Sequence, residues 1–257
     1  MAYLCIEDIE ITNANAMNGV VVGLPAITAF MGAVHALQRK LSSWGIVFDG
    51  AAIGIKEYEM REVSKGRMHY LNISLPSETT EKYGKKTDAR IFPQAYIDLK
   101  LHLVIKGNFD KLINNRKFLN AVKNKLHTMR VAGGNIGKFK VRWINNNFPP
   151  PFGFYLKDCT DEMMAYDGNN VLEKMLHALE DRKNRYVVLA NGFRALTEPG
   201  YVDNQRDPDT LHVFAEQVYT CGKYVRSDYI LNIDDFIFRY IHDGVSYLCT
   251  QKYPACL

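Results

Sequence analysis

The sequence predicts an α+β fold, a sheet with helices on one face, and three stretches carry that expectation. Residues 95–106 alternate cleanly: Ala95, Ile97, Leu99, Leu101, Leu103 and Ile105 fall on one face, and Tyr96, Asp98, Lys100, His102, Val104 and Lys106 on the other. That is the period of a β-strand. Residues 27–41 instead place Ile27, Phe30, Met31, Val34, Leu37 and Leu41 at steps of three and four, an apolar helical stripe. Directly before this helix, Tyr3, Cys5, Glu7, Ile9 and Ile11 alternate with Leu4, Ile6, Asp8, Glu10 and Thr12. Strand, polar loop, buried helix is the opening of a split β-α-β unit.

The elements follow in order. The strand over 3–12 leads into a polar, glycine-punctuated loop from Asn13 to Gly23. Pro25 suits a first helical turn, where the donor it lacks would be unpaired anyway. Ala29, Gly32, Ala33 and Ala36 are small and let this helix lie close to a sheet. Gln38, Arg39 and Lys40 place polar and positive groups in its last turn, where the helix dipole favours cations. Residues 45–58 and 67–75 read as strands, and Asp49-Gly50 marks a bulge or turn. Ser77 to Arg90 is a polar connection, either a contact finger or a plain surface loop.

After the 95–106 strand, Asp110 is a good N-cap for a helix running to Met129, with Leu112, Leu119, Val122 and Leu126 as its stripe. Gly133-Gly134 ends that helix and frees the backbone. The strand 138–144 then sets Lys138, Lys140 and Arg142 on one face against Phe139, Val141 and Trp143. Asn145 to Pro151 is a break that neither a helix nor a central strand crosses. It divides a core over 1–145, carrying the basic helix, turn and strand, from a C-terminal elaboration over 146–257. In that second part Asn169 or Asn170 caps a short helix over 171–181, Asp158, Asp161 and Glu162 cluster in a loop, and 185–197 reads as a strand and turn.

The charge is uneven. The chain's 257 residues carry a net +4, yet Lys100 to Asn145 holds eleven basic residues opposed only by Asp110. That segment is +10 and the remainder −6. A basic block in a mildly acidic protein points to a phosphate-tracking surface; the alternative is a solvated helix face beside an ordinary strand. A glycine turn feeding a strand with three cations on one face makes a phosphate cradle. The five cysteines are scattered, with no C-x-x-C pair, so neither a zinc site nor a disulfide framework is signalled. No apolar run approaches the ~18 residues of a membrane span, and no basic leader opens the chain. None of the seven histidines sits in a hydrolase or metalloprotease motif, and His242-Asp243 has no partners for a metal site. The chain therefore reads as non-catalytic, with no metal and no cofactor.

Three separated stretches also resemble a known family. Asn13-Ala14-Asn15-Ala16, Gly23, Pro25, Thr28-Ala29-Phe30, Gly32, Val34-His35-Ala36-Leu37 and Arg39 form the first. Met129-Arg130, Ala132-Gly133-Gly134 and Ile136 form the second. Gly192-Phe193-Arg194-Ala195-Leu196, Glu198, Arg206-Asp207, Glu216, Tyr219 and Gly222-Lys223 form the third. Together they resemble the Csy-two family of subtype I-F CRISPR surveillance (Csy, Cascade-type) complexes, a Cas-five-like branch of the RAMP superfamily. The chain is short for that family, and 77–90 has no counterpart in it.

The resemblance implies a ferredoxin-like (RRM-like, RAMP) sheet. It implies a ribonucleoprotein role in antiviral defence in the prokaryotic cytoplasm: holding the 5′ handle of the crRNA and capping the backbone filament at the terminal Cas-seven-like subunit. It further implies pairing with the large subunit that reads the protospacer-adjacent motif (PAM), so that target DNA near the PAM is met through the complex. RNA contacts are expected at Asn13, Asn15, Arg39, Arg130, Gly133, Gly134, Lys138, Lys140 and Arg142. Cations there would neutralise phosphates, and the asparagines and glycine backbone would bond bases or sugars of a splayed strand. Two other classes stay open. One is a RAMP-type endoribonuclease with His35 as base; the other is a protein-only adaptor whose basic block meets an acidic partner.

Overall fold

The computed structural model describes residues 2–65, 68–71, 81–82, 85–86, 95–113, 115–145, 149–203, 205 and 207–252. The N-terminal alternation becomes β1 (Ala2–Asn15), which runs three residues into the stretch expected to be loop. Two register shifts make this possible, between Ile6 and Ile9 and between Ile11 and Ala14. Asp8 and Asn13, inside them, have φ of +50° and +59°. Each bulge inserts one residue and so reverses which parity faces the core. Leu4, Ile6, Ile9, Ile11 and Ala14 all reach one cluster, whereas Tyr3 and Cys5 enter another. A strict two-residue alternation misassigns the face beyond Ile6.

The remaining loop folds into a small hairpin of β2 (Met17–Asn18) and β3 (Val21–Val22). Buried Asn18 ties it to the helix entry, its Nδ2 donating to the Leu24 carbonyl at 2.6 Å and its Oδ1 accepting from the Ala26 N–H at 3.0 Å. Helix α1 (Ile27–Lys40) starts after this clamp. Pro25 thus precedes the N-cap, Ala26, instead of lying in the first turn. The expected stripe, Ile27 to Leu41, is buried.

A 3-10 turn at Ser42–Trp44 leads to β4 (Phe48–Met60). Two short hairpins follow: β5 (Glu62–Lys65) with β6 (Met68–Leu71), and β7 (Glu81–Lys82) with β8 (Lys85–Lys86). The rest of 67–75 and of 77–90 lies outside the described residues. The 95–106 alternation becomes β9 (Tyr96–Gly107), with the predicted face in the main core. Helix α2 spans Arg116–Leu126, shorter than the 110–129 expected. Asn115 starts it, because its Oδ1 accepts from the N–H groups of Lys117 and Phe118 at 3.0 and 3.1 Å. Asp110 lies in the preceding turn.

Then come β10 (Arg130–Val131), β11 (Gly134–Ile136), β12 (Lys140–Asn145) and, past the Pro-rich break, β13 (Phe154–Asp158). Helices α3 (Thr160–Met164) and α4 (Val171–Glu180) precede β14 (Val187–Ala195), β15 (Ala215–Arg226), β16 (Arg239–His242) and β17 (Ser246–Thr250). Asn170 caps α4, accepting from the Glu173 N–H at 2.9 Å. Asp161 and Glu162 stand on α3, not in a loop, and Glu162 binds the Lys223 ammonium at 2.8 Å and the Tyr186 hydroxyl at 2.9 Å.

The main strands make one antiparallel sheet in the order β10-β11-β1-β9-β4-β13-β15-β14-β17-β16, with β12 on the first half of β1. The sheet curls back on itself. Ala51 of β4 exchanges backbone hydrogen bonds of 3.1 and 2.9 Å with Phe238, just before β16. Helices α1 and α2 pack on one face, over the core built on β1, β4 and β9. The other face of β1 and β9 is covered by the segment from Ile230 to Ile237, with Tyr3, Val104 and Tyr155 beneath it. There Asp234 binds the Lys106 ammonium at 2.9 Å and the Tyr3 hydroxyl at 3.0 Å. Among the described residues, Cys5, Cys159, Cys221 and Cys249 are buried free thiols, and burial pushes that of Cys221 up to about 11. No described helix is long and apolar enough to cross a membrane.

His102 on β9 is buried and bonded at both ring nitrogens: Nδ1 accepts from the Asp8 N–H at 3.1 Å and Nε2 lies 3.0 Å from the Phe152 carbonyl. This arrangement fits the neutral imidazole, and burial pushes its pKa down. With the folded value below the unfolded one, the unfolded chain binds more protons between them. Stability is therefore expected to be full above the unfolded value, about 6.5, and to fall as pH drops below it. Denaturation midpoints between about pH 7.5 and 5 test this, and His102→Gln should flatten the profile. An equally steep profile in the variant would clear His102 of the effect.

Candidate nucleic-acid interface

The two motifs expected to contact RNA meet in space. The hairpin of β10 and β11 turns on Ala132 and Gly133, with φ of +50° and +78°, the two left-handed positions that a two-residue primed turn requires. Its tip is pinned to the end of β1, where the Asn15 N–H donates to the Ala132 carbonyl at 2.8 Å. Asn15, Asn18, Pro25, Ala26, Ala29, Ala132 and Gly133 line one open pocket of about 380 Å3.

Helix α1 begins at this pocket, and its N-terminus has no side-chain cap and no acid in its first turn. Uncapped N–H groups at the positive end of the dipole favour an anion. Sequence reasoning missed this contribution. The available signal was Ala26 in the capping position, where Ser, Thr, Asp or Asn would ordinarily sit.

The predicted residues divide into groups. Gly134 lies directly against β1, and a Cβ there would approach Ile11 Cγ2 to 2.6 Å and the Ala14 nitrogen to 2.8 Å. The Asn13 N–H donates to Asp98 Oδ1 at 2.8 Å. The Asn15 amide closes on Met17 in both directions at 3.0 Å, so its side chain orders the strand end. Arg130 and Lys138 are exposed beside the hairpin and, among the described residues, make no ion pair. Lys140 and Arg142 differ. Pairing of β12 with β1 sets Glu7 opposite Lys140 and Cys5 opposite Arg142. The Arg142 guanidinium lies 2.5 Å from Glu7 and the Lys140 ammonium 3.4 Å from Asp8, which also holds Lys56 at 2.7 Å. The sequence count that set only Asp110 against the basic block therefore overstates the bare positive charge there.

Arg39 is not brought to the pocket. It sits near the far end of α1, about 18 Å along the axis from Ile27 at 1.5 Å per residue. Arg39 and Lys40 end α1, and Arg116, Lys117, Lys123 and Lys125 are exposed on α2, which packs on the same face of the sheet; neither helix holds an acidic residue. His35, the base of the endoribonuclease alternative, is exposed on α1 with its ring tilted 6.1 Å from that of Tyr240.

A family model described as CRISPR-associated protein (Cas_Csy2) matches residues 4–148 and 164–249, most of the chain. The chain belongs to that family. The CRISPR-associated protein Csy2 of Pseudomonas aeruginosa (strain UCBPP-PA14) is 29% identical over 154 residues. That match covers 58% of this chain and 45% of the relative, a little under half its length. Both the Asn15 strand end and the Gly133 turn lie within the region matched by the Csy2 family model.

Proposed function

We propose that the chain is a non-catalytic, RNA-binding subunit of a type I-F CRISPR surveillance (Csy) complex. It holds the 5′ handle of the crRNA, caps the backbone filament at the terminal Cas-seven-like subunit, and pairs with the large PAM-reading subunit in the prokaryotic cytoplasm. Family membership supports the complex. The RNA role rests on one observation above all: the Asn15–Ala132 bond joins two distant motifs at an uncapped helix start, beside Arg130 and Lys138, which make no ion pair among the described residues. The strand order β12-β1-β9-β4, with α1 after β1 and α2 after β9, supports reading 1–145 as the ferredoxin-like RAMP core. Residues 146–257 are then the elaboration packed on it through β13.

Within this reading, Arg130 and Lys138 track phosphates, and the turn at Gly133 offers backbone to bases or sugars. Asn13, Asn15 and Gly134 shape the strand and turn that present it. Arg39, with the α2 cations, forms a second positive face. Lys140 and Arg142 contribute less, because carboxylates already oppose them.

The test is to purify the tagged chain from its host at gentle salt and sequence any co-purifying RNA. A population sharing one constant 5′ end with variable sequence beyond it is expected; partner proteins without RNA would overturn the handle-holding role. In binding assays, Arg130→Glu with Lys138→Glu should reduce the salt slope by about two. Lys140→Glu with Arg142→Glu should reduce it by less, and the reverse ranking would place the phosphate track on β12.

A further inference from the structure

A second cavity, of about 600 Å3, opens where β4, β13 and β15 meet the loop after α4. Its walls include Tyr58, Phe154 and Tyr224, rings that are 65%, 43% and 39% exposed. Three partly bare aromatic side chains around one cavity are costly unless something covers them. Lys56 and Lys223 line it too, but their ammonium groups are held by Asp8 and Glu162 at 2.7 and 2.8 Å. Arg185 at the rim is different. It is exposed and makes no ion pair among the described residues. Its backbone sits at φ +50°, a left-handed position that glycine or asparagine would occupy at lower cost. Strain of this kind is tolerated where the side chain is needed.

The cavity and the Gly133 pocket each share lining residues with a cavity between them. A third cavity, of about 380 Å3, is lined by both Tyr58 and Tyr224 and by Asn18, Val21 and Val22 of the small hairpin. Asn18 also lines the pocket of Asn15 and Gly133. The three cavities therefore share walls in sequence. In the order of their shared residues they run from the glycine turn, past the β2–β3 hairpin, to the aromatic cavity.

We infer that these cavities make one track for single-stranded RNA and that the aromatic cavity is a stacking subsite for one unpaired nucleobase, with Arg185 on its phosphate. The inference rests on the RNA-binding reading above and adds the far end of the path. Aromatic faces beside an unspent guanidinium are the pairing that single-stranded nucleic-acid sites use, since every base offers a π-face. The bulk of the cavity, against the open glycine pocket, suits a base more than a phosphate.

The test uses the full chain and single-stranded RNA oligonucleotides carrying 5-iodouridine. Photo-adducts on Tyr58, Phe154 or Tyr224 are expected; adducts confined to other residues would overturn the subsite. Tyr58→Ala with Tyr224→Ala should weaken binding about 5- to 150-fold for each base that loses its stack. The double Tyr→Phe variant, which keeps both rings, should stay within about twofold. Should the alanine variant fail to fold, Arg185→Gly decides, because glycine accepts this φ; a salt slope lowered by about one is expected, and an unchanged slope overturns the proposal. Unchanged affinity in a folded alanine variant would overturn the subsite and leave the RNA-binding reading standing. A wild-type chain that binds no single-stranded RNA would overturn both.

Discussion

Gly134→Ala is expected to destabilise the fold by about 2–3 kcal/mol and, under the proposed RNA-binding role, to weaken RNA binding with it. The added Cβ would meet Ile11 Cγ2 at 2.6 Å, the Ala14 nitrogen at 2.8 Å and Ala14 Cα at 2.9 Å. Two of those three atoms are backbone in β1, so no rotamer change clears the space. Relief requires β11 to move off β1. That would loosen the Ile11–Ile136 and Thr12–Asn135 pairs and the Asn15–Ala132 bond that joins the two halves of the site. Gly133 is the internal contrast. A Cβ there meets nothing within 4 Å, but φ is +78°, so Gly133→Ala should cost only about 1–2 kcal/mol of backbone strain. Denaturant midpoints of the two variants, measured together, check the ranking. Equal losses would mean that the close approach of β11 to β1 is not what requires Gly134.

Much of this arrangement was legible because it is local. The α1 stripe and the alternation of β9 hold their period through an uninterrupted element, and each places its buried side as expected. Gly133-Gly134 was readable as a turn, since only a turn or a close approach explains the pair. Features that depend on distant residues were hidden. The bulge at Glu7 and Asp8 changes the parity of β1, and nothing in its apolar pattern marks that. Asp110 and Asn115 are both acceptable caps; which one starts α2 depends on where Phe118 finds its partners. The charge of Lys140 and Arg142 is set by Glu7 and Asp8, more than 130 residues earlier, so a windowed count could not balance them. Tyr58, Phe154 and Tyr224 come from three separate strands, and each alone is an ordinary strand aromatic. Contacts of this kind join residues far apart in sequence, which is why motif and period marked the two stretches that meet at the candidate site but not their junction.

Phe118→Ala is expected to cost about 3–5 kcal/mol, enough to threaten folding in a typical domain. Phe118 is fully buried in the first turn of α2 and joins three other rings. Trp44 meets it edge-on at 5.4 Å, Trp143 stacks on it at 5.8 Å and Phe109 lies 6.5 Å away.

 Trp44 and Trp143 together anchor α2 to the sheet through this one side chain. Only Val122 and Leu126 are otherwise buried on the helix, so truncating Phe118 removes the largest part of its apolar footing. The functional consequence follows from what α2 displays: Arg116, Lys117, Lys123 and Lys125 keep their charges but lose a fixed position, and a positive surface that no longer holds its geometry binds phosphates less well. The chain has two tryptophans, and both touch Phe118, so intrinsic fluorescence reports on the cluster directly. A red-shifted emission and an earlier unfolding midpoint are expected for Phe118→Ala, with Phe118→Leu losing less than about 1.5 kcal/mol because it conserves most of the volume. An alanine variant as stable as the wild type, with unshifted emission, would show that α2 is held by its remaining contacts and not by the aromatic cluster.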